Sequence, residues 1–281
     1  MRIAHLLLVH EYTPQLLRLV QKLSHADADI YIHVDRKKPI EQFAALKMPR
    51  LFFINNRVKV YWGSFSIVQA TLNGFQSILA SGRDYGYINL LSGQDYPLQP
   101  LAAIHDFFDK HPGKAFMEYY NVTDVWTEAI PRITKYHLAD YTFTGRHTVE
   151  KLMNKILPQR KMPYDLTAVG RSQWFSIAPA FAQYILEYVK TNPRIVKFFK
   201  LSWAPDELFF QTILYNSPHK KDLVNDNLRY IDWSEKKASP KTFTLADVPL
   251  LTASGKLYAR KFNANTDAAV LDELDKITAV K

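Results

Sequence analysis

The sequence predicts an α/β fold built around a mixed, mainly parallel sheet flanked by helices, and three observations support this. Short apolar runs that end in polar residues alternate with amphipathic helical patterns through roughly the first 120 residues. The composition is that of a globular protein, with 47% hydrophobic and 22% charged residues. A chain of 281 residues is also long enough to bury most of its apolar surface without disulfides.

The predicted strands are short apolar runs bounded by polar or turn residues. The first could be taken for a signal peptide, but it is short and leads into His10-Glu11 without a small-residue cleavage site. We therefore interpret it as a strand. Strands are predicted at residues 3–10, 29–35, 51–54, 58–62, 85–91, 114–120 and 174–177.

The predicted helices carry apolar residues at three- and four-residue spacing. They cover residues 14–23, 65–80, 104–110, 179–189, 205–214 and 267–277. Pro205 followed by Asp206 and Glu207 is typical of a helix N-terminus. A structural role for Glu207 is then to complement the helix dipole, worth roughly 0.3–1 kcal/mol. Residues 123–171 are less regular and more basic, and we interpret them as a lid or an acceptor-binding insertion.

Polar side chains follow several predicted strands at their carboxyl ends, which is where open α/β sheets bind ligands. These positions define the first candidate site. They are His10-Glu11, residues 33–36, residues 62–64, residues 92–95 and Glu118.

Several kinds of site are excluded by the sequence. There is no cysteine, so disulfides, thiolate metal sites and cysteine nucleophiles are ruled out, as suits a cytoplasmic protein. The glycines form neither a GxGxxG nor a GxxxxGK[ST] motif. The longest apolar runs are far shorter than the roughly 20 residues of a membrane-spanning helix. The DxD triplet Asp27-Ala28-Asp29 lies at the wrong end of its strand to bind a metal beside a nucleotide.

The charge balance favours an anionic partner. The chain has 36 basic and 27 acidic residues, a net charge of +9, and 14% aromatic residues. Nucleic acid, a lipid surface and phosphorylated small molecules all fit this composition, and aromatics can stack on bases or sugars. Composition leaves these three open, including a membrane-surface role through basic patches.

Individual candidates also have structural interpretations. Asp35 is either a turn residue or a hydrogen-bond acceptor for a nucleoside. Arg260-Lys261 has the pattern of a solvated pair at a rim. Trp203 and Trp233 are interpreted as core residues with a bonded indole N–H.

Six segments, taken in order, resemble the core-2/I-branching N-acetylglucosaminyltransferase family, which includes the peptide O-xylosyltransferases. The resemblance covers about residues 3–275. The segments are 31–37 (YIHVDRK), 60–66 (VYWGSFS), 87–98 (YINLLSGQDYPL), 170–175 (GRSQWF), 204–208 (APDEL) and 258–262 (YARKF).

This resemblance implies a GT-A-type nucleotide-sugar transferase fold in a single catalytic domain, residues 1–281. Residues 1–120, approximately, would form the nucleotide-binding half, and residues 121–281 the acceptor-binding and catalytic half. It implies an inverting, metal-independent transfer to a hydroxyl of a glycan acceptor, without a cofactor. The donor would be a UDP-sugar, UDP-GlcNAc first and UDP-xylose second.

The sequence departs from the animal members of that family, which are Golgi proteins with a membrane anchor and disulfides. We therefore expect a compact, bacterial-type, cytoplasmic member that does not bind nucleic acid. Its acceptor would be a surface-polysaccharide or lipid-linked precursor, with peripheral contact at an anionic membrane left open.

The resemblance also assigns roles residue by residue. Glu207 matches the catalytic base, and Arg260 and Lys261 lie in the block that meets the donor diphosphate. Lys241 replaces an arginine that supplies a second basic ligand in relatives. Val34 and Asp35 match the nucleoside-binding strand end, Tyr61 and Trp62 the base-stacking position, and Glu118 and Trp233 the acceptor-binding positions.

Two functions other than sugar transfer are also compatible with the sequence. A nucleic-acid-binding protein would show a continuous basic face and a steep salt dependence. A catalytically silent glycan- or nucleotide-binding relative would keep the pocket but would not turn over a donor.

Overall fold

The structure, a computed structural model, describes residues 1–279 and contains ten strands in that part of the chain. They are β1 (Ile3–Val9), β2 (Ala28–Val34), β3 (Leu51–Phe53), β4 (Tyr87–Ser92), β5 (Asp95–Pro97), β6 (Ala115–Asn121), β7 (Val169–Ile177), β8 (Leu223–Val224), β9 (Arg229–Ile231) and β10 (Tyr258–Arg260).

The helices flank these strands in chain order. They are α1 (Pro14–Lys22), α2 (Phe65–Ala80), α3 (Leu101–Asp109), α4 (Ile130–Thr134), α5 (Arg146–Ile156), α6 (Pro179–Thr191), α7 (Pro193–Phe199), α8 (Phe209–Tyr215), α9 (Val248–Ala253) and α10 (Ala269–Ile277). None of the helices in the described residues has the length and apolar character needed to cross a bilayer.

Seven strands form the central sheet in the order β3-β2-β1-β4-β7-β6-β8. Strands β3, β2, β1 and β4 run parallel, and β7 is antiparallel to both of its neighbours. The predicted mixed, mainly parallel sheet flanked by helices is confirmed. A second sheet, β5-β10-β9, brings the late strand β10 next to the segment after β4.

The alternating side chains of β1 separate two hydrophobic cores. Ala4 and Leu6 pack into the core that contains α2, α6 and α8. Ile3 and Leu7 pack into the other core, together with α1, α3 and α10. Because α10 belongs to the second core, the end of the chain packs against its beginning.

Two predicted elements are wrong. Residues 58–62 form no strand, since the N–H groups of Val58 and Val60 bond to the His33 and Asp35 side chains, at 3.1 and 3.2 Å, and Trp62 lies in a turn. Residues 205–214 are not one helix. A 3-10 turn at Pro205–Glu207 is separated from α8 by Leu208, whose backbone is non-helical (φ −128°, ψ −39°).

Candidate active site

A cleft of about 1630 Å³ opens beyond the carboxyl ends of β1, β2 and β4. It is the expected location for a ligand in an open, mainly parallel sheet. Most of the residues predicted for a site line this cleft, from six separate parts of the chain. They are Asp35, Trp62, Glu118, Glu207, Trp233, Arg260 and Lys261.

Three predicted residues lie outside the lining of the cleft. The Val34 side chain is fully buried, so that only its backbone could reach a ligand. Tyr61 is half-buried, with the Lys37 ammonium 4.7 Å from its ring centroid. The Lys241 ammonium is 2.6 Å from Asp247 Oδ1. The group that is predicted to bind a phosphate is therefore already paired with a carboxylate.

Glu207 is held by a turn with unusual backbone geometry. Ala204, just before the turn, adopts a left-handed conformation (φ 47°, ψ 53°). The backbone of the turn packs against β7 at Gly170, where an added Cβ would lie 2.0 Å from the Glu207 carbonyl oxygen. Gly170 therefore permits a close approach that fixes the position of Glu207.

The Glu207 carboxylate has a cationic partner on one oxygen. Arg132 Nη1, from α4, donates to Glu207 Oε2. The Arg132 guanidinium also lies over the ring of Trp126, 4.8 Å from its centroid. Oε1 accepts no hydrogen bond within the described residues, and Glu207 lines the cleft.

A second carboxylate, Asp206, lines the cleft beside Glu207 but is almost fully buried. Burial and the charge of Glu207 raise the pKa of Asp206 to about 7. Its Oδ1 has no hydrogen-bond partner among the described residues. At neutral pH, Asp206 is therefore close to the point at which it changes charge.

Glu118 and Asp226 lie on the same side of the cleft. Asn227 Nδ2 donates to Glu118 Oε2 at 3.2 Å, and burial raises the pKa of Glu118. Asp226 Oδ2 is paired with Lys256 Nζ at 2.7 Å. Acceptor hydroxyls could bond to carboxylates such as these.

Arg260 and Lys261 bring two cations together in the cleft. The Arg260 guanidinium lies 4.0 Å from the Trp174 ring centroid, and its Nε is 3.6 Å from Asp95 Oδ1. Burial and the charge of Arg260 lower the pKa of Lys261, whose ammonium donates to Ser239 Oγ at 3.2 Å. Arg260 Nε and Nη1 are buried and have no hydrogen-bond partner within residues 1–279. Adjacent cations with unused donors form a site suited to an anion.

Asp35 connects the end of β2 to the extended segment after β3. Its Oδ1 accepts from the backbone N–H groups of Lys37 and Val60, at 2.9 and 3.2 Å. Its Oδ2 is 3.3 Å from Lys37 Nζ. Asp35 is therefore both a turn residue and a cleft residue, so that the two interpretations left open by the sequence are compatible.

All five tryptophans of the chain line the cleft: Trp62, Trp126, Trp174, Trp203 and Trp233. Trp62 is 71% exposed and packs edge-on against Trp203, with centroids 5.0 Å apart. The interpretation of Trp203 and Trp233 as core residues is therefore wrong. Exposed aromatic faces of this kind stack on bases and sugars.

No group of three or more His, Asp or Glu side chains in the described residues is arranged to hold a metal ion. Asp29 of the DxD triplet is fully buried at the other end of β2. It pairs there with Arg2, Arg50 and Arg83. Its role in the fold is structural.

Sequence reasoning missed several residues of the cleft. Arg132 comes from the irregular basic segment, whose spacing does not indicate which cation faces the cleft. Asp206 has, in the sequence, only the pattern of a helix N-terminal residue. Trp126, Trp174 and Trp203 could have been found from the association of tryptophan with sugar and base stacking.

The sequence of this chain is similar to that of known proteins. The family model described as Core-2/I-Branching enzyme matches residues 3–252. The chain is 28% identical to xylosyltransferase 2 of Canis lupus familiaris, over 98% of this chain and 33% of that protein. It is 27% identical to the xylosyltransferase oxt of Drosophila melanogaster, over 93% of this chain and 32% of that protein. The chain thus spans about a third of the length of these relatives.

Among solved structures, the apo form of mouse xyloside xylosyltransferase 1 aligns with a TM-score of 0.41 and 12% identity. The alignment covers 94% of this chain and 99% of the mouse chain. Because the family match extends over most of the sequence, the chain belongs to the core-2/I-branching enzyme family.

Proposed function

We propose that the protein is an inverting glycosyltransferase that moves a sugar from a UDP-sugar to a hydroxyl of a glycan acceptor without a metal ion. The observation that carries the proposal is the pairing of two features in one cleft. Glu207, a carboxylate with one open oxygen, lies in the same cleft as two adjacent cations, the Arg260 guanidinium and the Lys261 ammonium.

The carboxylate supplies the base. As the acceptor oxygen attacks the anomeric carbon, Glu207 Oε1 takes the hydroxyl proton, which typically contributes about 10²–10⁴-fold to the rate. Arg132 holds Oε2 and so orients the carboxylate. The bond between the anomeric carbon and the diphosphate oxygen breaks as the new glycosidic bond forms.

The cations stabilise the leaving group. Negative charge develops on the diphosphate, and fixed donors from Arg260 and Lys261 can stabilise it in place of a metal ion. Hydrogen bonds between charged groups are about twice as strong as neutral ones. Lys241 would have to leave Asp247 to add a second lysine to this set.

The donor follows from the relatives and from the aromatic cleft. UDP-GlcNAc is proposed first because the chain resembles the core-2/I-branching N-acetylglucosaminyltransferases, and UDP-xylose second because two relatives are named as xylosyltransferases. Asp35 would accept from the nucleoside, and Trp62 would stack on its base. The acceptor is proposed to be a surface-polysaccharide or lipid-linked precursor, with Glu118 and Trp233 in contact with it.

A thermal-shift screen tests the nucleotide. UDP at a hundred times its dissociation constant stabilises the folded state by about 2.7 kcal/mol, which raises Tm by roughly 5 °C or more for a chain of this size. We expect UDP to do this more effectively than GDP or CMP. Stabilisation by GDP or CMP and not by UDP would show that the donor is wrongly assigned.

UDP release then tests turnover. The purified protein is incubated with UDP-GlcNAc, UDP-xylose and other UDP-sugars, with and without an oligosaccharide acceptor, and free UDP is measured. We expect at least one donor to be consumed. Binding of UDP without release from any donor would favour the silent, glycan-binding relative.

A further inference from the structure

The orientation of helix α5 (Arg146–Ile156) is the reverse of that of a normal surface helix, whose apolar face packs against the protein. None of its residues is buried. Its contacts with the rest of the protein are made by polar side chains. Glu150 Oε2 accepts from the backbone N–H of Leu138 at 2.9 Å, and the Asn154 amide bonds to both the N–H and the carbonyl of Tyr136, each at 2.8 Å.

The apolar face of α5 points into solvent. Val149, Leu152 and Ile156 share one face, at three- and four-residue spacing, away from the face of Glu150 and Asn154. Leu152 is 55% exposed and Ile156 is 67% exposed. Tyr141 and Phe143, before the helix in the chain, and Leu157, directly after it, are also exposed. Large exposed apolar surfaces usually mark interaction sites.

Cations border the apolar face. Lys151 and Lys155 are exposed on α5, and Lys161 is exposed shortly after it. Within residues 1–279, none of these three lysines is ion-paired to a carboxylate in the structure. Their only acidic neighbour on the helix, Glu150, faces the protein.

We propose that α5, with Tyr141 and Phe143, is a docking surface that places the protein on an anionic phospholipid bilayer. An apolar face flanked by lysines is the pattern of a helix that lies in the membrane interface. The lysine stems can lie along the apolar surface while their ammonium groups reach the phosphates. Tyr141 and Phe143 would insert at the level of the headgroups.

The positive charge of the α5 surface favours an anionic bilayer over a second copy of this chain as its partner. In an antiparallel two-fold dimer through α5, the same face of both copies would meet, so that Lys151 and Lys155 of one copy would approach those of the other. A surface of anionic headgroups instead supplies the opposite charge. The helix has 11 residues, about 16 Å, which is enough to lie on a bilayer but too short to cross it.

Docking through α5 would also set the orientation of the cleft relative to the bilayer. The segment to which α5 bonds, residues 136–138, directly follows α4, whose Arg132 lines the cleft beside Glu207. A protein docked through α5 would therefore hold this side of the cleft near the bilayer. The docking proposal does not depend on the proposed reaction.

Vesicle sedimentation tests the surface directly. The whole chain is mixed with phosphatidylcholine vesicles, with or without phosphatidylglycerol, at low and high salt. We expect binding only to the vesicles that contain phosphatidylglycerol, and weaker binding at high salt because surface charges are screened. The double variant Leu152→Glu/Ile156→Glu should bind at least about tenfold more weakly, since it places two carboxylates on the apolar face.

The matched control is Leu250→Glu on α9, which makes the same change at a leucine that is 48% exposed. This variant should bind vesicles like the wild type, and all variants should keep the UDP-dependent rise in Tm. Equal vesicle binding by the double variant and the wild type would overturn the proposal. So would a wild type that binds neither vesicle, or a wild-type dimer that the double variant converts to monomer.

Discussion

The two walls of the cleft differ in how their charges are used. On one wall, Glu207 is fixed by a turn packed against Gly170 and by an ion pair with Arg132. On the other, Arg260 Nε and Nη1 have no hydrogen-bond partner within residues 1–279, although Nε lies 3.6 Å from Asp95 Oδ1, and the Lys261 ammonium bonds to the Ser239 hydroxyl. The carboxylate of the first wall is held in position and keeps one open oxygen, whereas the Lys261 ammonium of the second wall has no carboxylate partner among the described residues. This difference fits the proposed roles, in which Glu207 is the base and Arg260 and Lys261 bind the diphosphate.

The replacement Glu207→Gln should have the largest effect. It keeps the size of the side chain but removes the base, so that transfer should fall about 10²–10⁴-fold. The thermal shift caused by UDP should persist because the cationic wall is intact. Glu128→Gln, which changes an exposed carboxylate of the same cleft, is the control and should keep most of the activity. A wild-type transfer rate in Glu207→Gln would show that Glu207 is not the base.

The replacement Lys261→Ala tests the cationic wall. A hydrogen bond to a charged group contributes roughly 1.5–3 kcal/mol, so that UDP affinity and transfer should fall together by about 10- to 100-fold. Lys237→Ala is a suitable control, because Lys237 also lines the cleft but is exposed and paired with Glu235 at 2.9 Å. Unchanged UDP affinity in Lys261→Ala would show that Lys261 does not contact the diphosphate.

Lys241→Ala should reduce UDP affinity less than Lys261→Ala does. Lys241 must first give up its contact with Asp247, which offsets part of any gain from a phosphate. Titration calorimetry with UDP compares the two variants. A larger loss in Lys241→Ala would reverse the relative importance of the two lysines.

Asp206→Asn should change the pH dependence of stability. The pKa of Asp206 is raised from about 3.9 in the unfolded chain to about 7 in the folded protein. Between these values the folded state keeps a proton that the unfolded state has lost, so that this group's contribution to stability falls as pH rises from about 4 to 7. Asparagine does not titrate. Relative to the wild type, Asp206→Asn should therefore gain stability as pH rises across this range, by at most about 1.4 kcal/mol for each pH unit.

Chemical denaturation of both proteins at several pH values measures this difference. It should level off above pH 7, where the wild-type carboxyl is ionised in both states. Parallel stability curves throughout the range would show that Asp206 does not titrate in the way its burial implies.

The sequence predicted the sheet because strand and helix patterns depend on local periodicity. Helix α2 was predicted with the observed bounds, Phe65–Ala80, and the expected GT-A-type fold is confirmed by the family match and the observed sheet. Residues 58–62 were less predictable. Their apolar pattern is that of a strand, but their hydrogen bonds go to side chains of β2 and its end.

The location of the site was predictable from the polar residues that follow the strands, several of which line the cleft, whereas the roles of its residues were predicted only from the resemblance. No local pattern indicates that Arg132 meets Glu207, since the two lie 75 positions apart and are joined by tertiary packing. The ion pair of Lys241 with Asp247 likewise depends on how the chain turns after β9. Helix α5 was not predicted at all, because it lies in residues 123–171, which were interpreted as less regular, and its polar side chains turn towards the protein.

The central claim is that fixed cations of this chain, and not a metal ion, balance the charge of the leaving diphosphate. The direct measurement is the rate of UDP release, first in excess EDTA and then with manganese restored. The account predicts the same rate in both conditions for the wild type, and no recovery of Lys261→Ala when manganese is added. Activity that EDTA abolishes and manganese recovers would contradict it.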